Sequence, residues 1–283
     1  MNYIDLHVHS TCSDGTFSPE ELVKHAIEKE LVAFAVTDHD TVLGVKRALA
    51  EAERLGNPIK VIPGVELSCE YELPDRKKEI HILGYGIDYD DEHLLKTLED
   101  AAHERDNRNR QMCERLANAG YPITYEELME KFGNNIITRA HFAKLLVANG
   151  GVESIDKAFK TCLSPKSEFF VHRKYLTPGE GIELILSTGG IPVLAHPLLY
   201  KLSIEELNKL IVDLKDLGIQ GIEAIYSRNH GGDEPFVKGL AAKYGLFITG
   251  GSDFHGSNKP DIEIGVGCGN MRVPETILKN INY

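Results

Sequence analysis

The sequence predicts an α/β fold: a distorted barrel of about seven strand–helix units, interrupted by one long helical insertion. Three observations predict it. Short apolar runs alternate with amphipathic helical stretches in both the first and the last third of the chain, the rhythm of a sheet covered by helices. The strand-like runs are nearly continuous in apolar residues, as in parallel strands buried on both faces. Residues 92–171 break that rhythm and carry helical patterns with no strand of this kind.

Taken in order, Tyr3, Ile4 and Leu6 read as a buried first strand. Ser18-Pro19-Glu20-Glu21 is a capping box with proline at the first helical position, so a helix starts there. A second strand fits 31–40, a helix Gly44 to Leu55 ended by Gly56 and Pro58, a third strand 59–66 and a fourth 80–87. After the insertion, helices fit 178–188, 203–217 and 235–244, and strands fit 191–197, 221–226 and 245–253. Residues 1–91 and 172–283 are therefore expected to form the barrel, and 92–171 a helical cap over its mouth. About seven such strand–helix units point to an α/β barrel of irregular form, with a parallel sheet covered by helices.

Composition narrows the function. At 283 residues, 42% of them hydrophobic, the chain can bury the core of one barrel with an insert. No apolar run of membrane-spanning length and no basic-then-apolar leader is present, so neither a membrane partner nor a signal peptide is expected. The five cysteines are scattered without a C-x-x-C pair, which points to reduced thiols and the cytoplasm. A formal charge of −12 argues against a surface that coats nucleic acid, so no stable nucleic-acid complex is expected. It leaves room for a phosphate substrate, because bound cations can make a positive pocket inside an acidic protein.

The functional signal lies at the strand ends. The first ends in His7-x-His9, and residues two apart on a strand point the same way. The second ends in Asp38-His39-Asp40, the third in Glu66, a later one in His196, and the last in Asp253 and His255. His81 lies in the fourth strand, nearer its start than the pattern wants, and Asp14 follows in the first loop. Active sites of α/β folds form at the carboxyl ends of strands. His7, His9, Asp14, His39, Glu66, His81, His196, Asp253 and His255 are the candidate metal ligands. They are too many for one ion at three or four ligands each, so two or three divalent ions follow. Imidazole and carboxylate without thiolate suit manganese, iron and zinc alike; of these manganese is the ion expected, with iron or zinc as alternatives.

The motifs DLHVHSTCSDG, TDHD, GVE, HILGY, LAHP, GIEAIYS and TGGSDFHG, in that order, resemble the PHP (polymerase and histidinol phosphatase) superfamily. The resemblance implies a distorted seven-stranded PHP barrel with a trinuclear metal centre. One ion would take His7, His9, Glu66 and Asp253; a second would share Glu66 and add His81 and His196; a third would take Asp14, His39 and His255. Many members carry a histidine where Asp14 stands. The aspartate version, with the insertion, resembles the branch that removes the 3′-phosphate from nucleoside 3′,5′-bisphosphates, part of which also trims short 5′-phosphorylated RNA. The resemblance thus implies a metal-dependent phosphoesterase acting on a small phosphorylated substrate. A histidinol-phosphate phosphatase or other small-molecule phosphatase is the alternative enzyme, and a non-catalytic metal-stabilised PHP module the alternative of another class.

Three further roles are expected. Glu66, as the bridging ligand, and Asp253, as a ligand of the first ion, are expected to be catalytic, and His230, after YSRN, is placed to donate to a phosphate or protonate the leaving oxygen. A solvated loop histidine is the plainer alternative for His230. Arg139 and His141, two apart at a helix start, are candidates to hold a substrate phosphate, although the family motif usually has proline where Ala140 stands. Asp38, Asp40 and Glu223 are each either partners that orient a ligand or plain helix-end and buried ion-pair groups. The run HERDNRNR (103–110) reads as a solvated helix face, and His25 as a surface residue.

Overall fold

The computed structural model describes residues 2–133 and 136–281. The elements run β1 (Tyr3–Val8), α1 (Pro19–Glu28), β2 (Ala33–Val36), α2 (Leu43–Arg54), β3 (Lys60–Glu72), β4 (Lys77–Tyr85), α3 (Glu92–Asn118), α4 (Tyr125–Phe132), α5 (Arg139–Ala148) and α6 (Ile155–Lys160). They continue with α7 (Pro178–Ser187), β5 (Ile191–Leu194), α8 (Ile204–Asp216), β6 (Gly221–Tyr226), α9 (Asp233–Tyr244), β7 (Phe247–Gly251) and the short β8 (Val273–Pro274).

The strands form one sheet in the order β7-β6-β5-β4-β3-β2-β1-β8. It curls until the segment after β7 meets β1: the Asp253 N–H donates to the His7 carbonyl at 2.8 Å and the His9 N–H to the Phe254 carbonyl at 3.0 Å. The result is the nearly closed, distorted α/β barrel that the strand–helix rhythm predicts. Its strands pack Ile4, Leu6, Ala35, Ile62, Leu83, Val193 and Ile225 into one apolar core. The helices begin where the sequence marks them. Ser18, Thr177 and Ser203 each accept from the N–H three residues on, and the glutamate there reaches back to the cap.

Two strands depart from the all-parallel expectation, the short β8, which pairs antiparallel with β1, and β4. β4 runs antiparallel to both β3 and β5. Only residues 73–76 separate β3 from β4, and the Leu73 N–H donates to the Arg76 carbonyl at 2.8 Å in a hairpin turn. A parallel crossover needs a dozen residues or more, so the spacing, with Pro74-Asp75 as turn residues, already excluded a parallel β4. The hairpin also carries β3 six residues past Glu66, so Glu66 lies within the strand rather than at its end.

Barrel closure depends on a close approach. A Cβ on Gly251 would lie 2.3 Å from the His7 Cβ and 2.4 Å from its backbone nitrogen. Gly251→Ala is therefore expected to force β7 and β1 apart. A cost of about 1–3 kcal/mol or more is anticipated, read as a lower thermal midpoint together with reduced metal retention, because His7 moves with β1.

Close contacts divide the chain into two compact units, one running to Lys96 and resuming at Tyr175, the other spanning Thr97–Lys174. The division falls inside α3, not at residue 92. The Asp91 carboxylate caps the start of that helix by accepting from the Leu94 N–H at 2.8 Å, and Leu94 is fully buried. The second unit has its own core of Met112, Leu116, Leu128, Phe142 and Leu146. Arg105, Arg108 and Asn109 on α3 are buried, so HERDNRNR is not the solvated face that its composition suggests.

Candidate metal centre

Glu66 is the hub of the first unit. Its side chain is 1% exposed. Oε1 lies 2.8 Å from His81 Nδ1 and 2.9 Å from His196 Nε2. Oε2 lies 3.3 Å from His7 Nε2, 3.2 Å from His9 Nε2 and 3.0 Å from His39 Nδ1. Asp253 Oδ1 adds contacts of 3.7 Å to His7 and 3.4 Å to His9. His255 Nε2 stands 3.2 Å from Asp14 Oδ1, which is 3.8 Å from His9 Nδ1. All nine side chains singled out at the strand ends thus come together.

The antiparallel β4 explains His81. A reversed strand starts at the end where parallel strands finish, so His81, midway along β4 and four residues ahead of its end at Tyr85, lies level with the part of β3 just beyond Glu66. His81 pairs with Ser68 across the hairpin, two residues beyond Glu66.

The donor set fits divalent metal ions. His7 Nε2, His9 Nε2, His39 Nδ1 and Glu66 Oε2 are buried and make no hydrogen bond, a costly state for polar atoms in a protein interior. Ligand atoms about 2.0–2.2 Å from a shared ion lie roughly 3.0–3.5 Å from each other. The spacings from Glu66 Oε2 match that. Three groups have one ligand atom per residue within 4.8 Å of all the others: His9, Asp14, His39 and His255; His7, His9 and Glu66; and His39, Glu66 and His81. In these groups His9 also joins the Asp14 set, and His39 joins Glu66 and His81.

Electrostatics point the same way. Burial alone would push the Glu66 carboxyl up, but His39, His81 and His7 outweigh it and hold it well below the usual range. Asp14 and Asp253 are depressed likewise against burial, Asp14 chiefly by His255 and His39, Asp253 by Lys259 and His255. Burial opposes charge on the imidazoles too. The carboxylates nevertheless hold His7 well above its ordinary value, His9 at about 9 and His81 at about 10. Burial prevails at His196, which is lowered, and at His255, lowered to about 4 with help from Lys259. Three ionised carboxylates thus share a buried space with imidazoles that take up protons to compensate them, which is the compensation a divalent cation provides.

Neighbouring residues aim these ligands. Glu223 accepts from His7 Nδ1 at 3.0 Å and from the His196 backbone N–H at 2.8 Å, leaving His7 Nε2 to face Glu66. Asp5 accepts from the N–H groups of His7, Ser252 and Gly265. Asp38 accepts from the Ser10 N–H and from the Ser10 and Ser13 hydroxyls, fixing the loop between His9 and Asp14. Asp40 accepts from the Ser68 N–H at 2.8 Å. The Ser13 hydroxyl that Asp38 holds also lies 3.5 Å from His9 Nδ1, so Asp38 braces both the loop and, through Ser13, the His9 ring. His196 and Asp253 have φ of +24° and +58°, left-handed conformations that cost energy for side-chain-bearing residues and concentrate at functional sites.

Of the other expected site residues, His230 belongs to the first unit and Arg139 and His141 to the second. His230 is exposed in the loop between β6 and α9, and only its backbone bonds, with Asp233. Its ring makes no hydrogen bond or ion pair with any described residue. The Arg139 guanidinium lies 5.5 Å from the Phe170 ring, and buried His141 accepts from the Thr138 N–H at 3.0 Å as part of the cap of α5. His25 is not a surface residue: its ring is partly buried, 2.7 Å from a Glu263 oxygen and beside Phe17 and Phe254. Sequence reading missed Asp5, Tyr226 and Lys259. Asp5 alone had a signal, its i−2 parity with His7.

A barrel that delivers imidazoles and carboxylates, and no thiolate, to one buried point is the scaffold of a metal-dependent hydrolase. The chain belongs to the PHP domain family, which it matches over residues 5–176. It is 34% identical to the 5′-3′ exoribonuclease Rnm of Salmonella typhimurium, over 92% of this chain and 87% of that one. It is 33% identical to a 3′,5′-nucleoside bisphosphate phosphatase of Chromobacterium violaceum, over 94% and 91%. A solved structure from Bifidobacterium adolescentis, assigned as a metal-dependent phosphoesterase, superposes with a TM-score of 0.84 at 28% identity, covering 99% and 95%. The chain is a phosphoric ester hydrolase of this family.

Proposed function

We propose that this protein removes the 3′-phosphate of nucleoside 3′,5′-bisphosphates and also acts on short 5′-phosphorylated RNA, using two or three divalent ions, manganese first among manganese, iron and zinc. The observation that carries the reading is the convergence of nine His, Asp and Glu side chains, five histidines on Glu66 itself and Asp14, Asp253 and His255 on those. The names of the two relatives at 34% and 33% identity support the substrate class. When bound, the ions supply a water of lowered pKa and neutralise charge on the phosphoryl oxygens. His7, His9, Asp14, His39, Glu66, His81, His196, Asp253 and His255 hold them, with Glu66 shared. Arg139 and His141, in the helical segment 92–171, hold the substrate's second phosphate, on the strength of the motif they share with the family. His230 protonates the leaving oxygen, as its exposed and unengaged ring allows. Five free cysteines suit the reducing cytoplasm, and no described helix is long and apolar enough to cross a membrane.

The first experiment is phosphate release from adenosine 3′,5′-bisphosphate by the manganese-loaded protein, beside histidinol phosphate and a short 5′-phosphorylated RNA. Release from the bisphosphate well above histidinol phosphate supports the reading; release from histidinol phosphate alone overturns the substrate and keeps the metal centre. Two variants refine it. Arg139→Ala is expected to raise KM for the bisphosphate about 10- to 100-fold, the worth of a charge-assisted hydrogen bond, while a nucleoside 3′-monophosphate is scarcely affected. His230→Asn is expected to lower kcat about 10²-fold or more at unchanged metal content. Unchanged kcat would remove His230 from the mechanism.

A further inference from the structure

Each oxygen of Asp253 has a separate assignment. Oδ2 accepts from the Lys259 ammonium at 2.6 Å and from the Tyr226 hydroxyl at 2.7 Å. Oδ1 faces the cluster, 3.4 Å from His9 Nε2, 3.7 Å from His7 Nε2 and 3.3 Å from His255 Nδ1. A carboxylate rotates in a broad, roughly two-fold well, so without a restraint either or both oxygens could turn to an ion. The backbone offers little slack, because Asp253 is in a left-handed conformation with its N–H on the His7 carbonyl.

The residue before Lys259 grips the other carboxylate's loop. Asn258 Nδ2 donates to the Asp14 carbonyl at 2.5 Å, and the Ser257 N–H donates to Thr16 Oγ1 at 2.9 Å. The short 3₁₀ turn Gly256–Asn258 therefore ties the Asp14 loop to the end of β7.

We propose that the Asn258–Lys259 segment is a positioning bracket for the two aspartates of the metal centre, in which Lys259, with Tyr226, confines Asp253 to ligation through Oδ1 alone. The inference rests on the reading of the cluster as a metal centre. Lys259 touches neither ion nor substrate in this scheme; it acts through Asp253. A bare electrostatic role would have the opposite sign, since an ammonium beside a cation weakens its binding by repulsion. Orientation strengthens binding instead: partners that orient a ligand are typically worth about 10- to 100-fold in metal affinity.

The test is titration of the metal-stripped full chain with manganese and with cobalt(II), for the native protein, Lys259→Met, Lys259→Arg, Tyr226→Phe and Glu66→Gln. Lys259→Met should weaken at least one ion about tenfold or more and change the visible absorption of bound cobalt, because Oδ2 is released to the ion. Lys259→Arg should restore part of the affinity, and Tyr226→Phe should shift it less in the same direction. Affinity for Lys259→Met that is unchanged or tighter, with the native cobalt spectrum, overturns the bracket. If that variant fails to fold by circular dichroism, Tyr226→Phe decides: native affinity and spectrum overturn the proposal. A native protein that binds neither ion overturns the metal-centre reading itself. Native binding lost in Glu66→Gln but kept in Lys259→Met overturns the bracket alone.

Discussion

Glu66→Gln is expected to abolish turnover and to release at least one ion per chain. Glu66 presents two oxygens to five imidazoles within 3.3 Å, on a side chain that is 1% exposed. Glutamine has the same shape but no charge, and one end becomes an NH₂ that cannot ligate. If the carboxylate carries about 4 kcal/mol of the electrostatic stabilisation in the transition state, its loss costs about 10³-fold in rate. The check is kcat together with metal content by elemental analysis, with circular dichroism to confirm the fold. Full activity with native metal content would end the hub role of Glu66.

The second expectation is that metal affinity climbs steeply with pH. In the metal-free protein His9 titrates at about 9 and His81 at about 10, so both are protonated at pH 7. Ions bind neutral imidazole, so each such histidine gives up its proton on binding. Displacing one proton makes apparent affinity rise about tenfold per pH unit, and displacing two about 100-fold, between pH 6 and 8. Calorimetry in buffers of different ionisation enthalpy would count the protons released. A flat affinity with no proton release would show that the imidazoles are already neutral. The metal-free fold has the opposite trend. Histidines whose folded pKa is raised add stability that is fully present below the unfolded value near 6.5 and fades as pH rises through about 9 to 10. Raising the pH should therefore weaken the empty protein while it strengthens ion binding.

Much of the site is legible along the chain because its ligands follow local rules. His7 and His9 share a face by the two-residue period of a strand, and they lie with ring centroids 5.1 Å apart. His39, His196, Asp253 and His255 follow short apolar runs, and in a barrel those ends converge. Strand period, capping boxes and the order of the motifs are properties of neighbouring residues, so a linear reading finds them. His81 looks misplaced in that reading because strand direction was assumed; the four-residue link at 73–76 holds the information that reverses it.

Other features have no local signature. Tyr226 meets Asp253 only because β6 adjoins the segment after β7, and Lys259, six residues on, returns to Asp253 through the 3₁₀ turn Gly256–Asn258. Arg105 and Arg108 are charged residues on a polar helix stretch, and nothing in their sequence neighbours marks them as buried. His25 finds Glu263 across 238 positions. The sequence by itself determined the fold class, the helix starts and the nine His, Asp and Glu residues that converge, since these depend on periodicity and on which residues lie at or near strand ends. The tertiary structure alone decided the braces around the cluster, the burial of Arg105 and Arg108 and the assignment of each Asp253 oxygen, since these depend on how the segments pack in space.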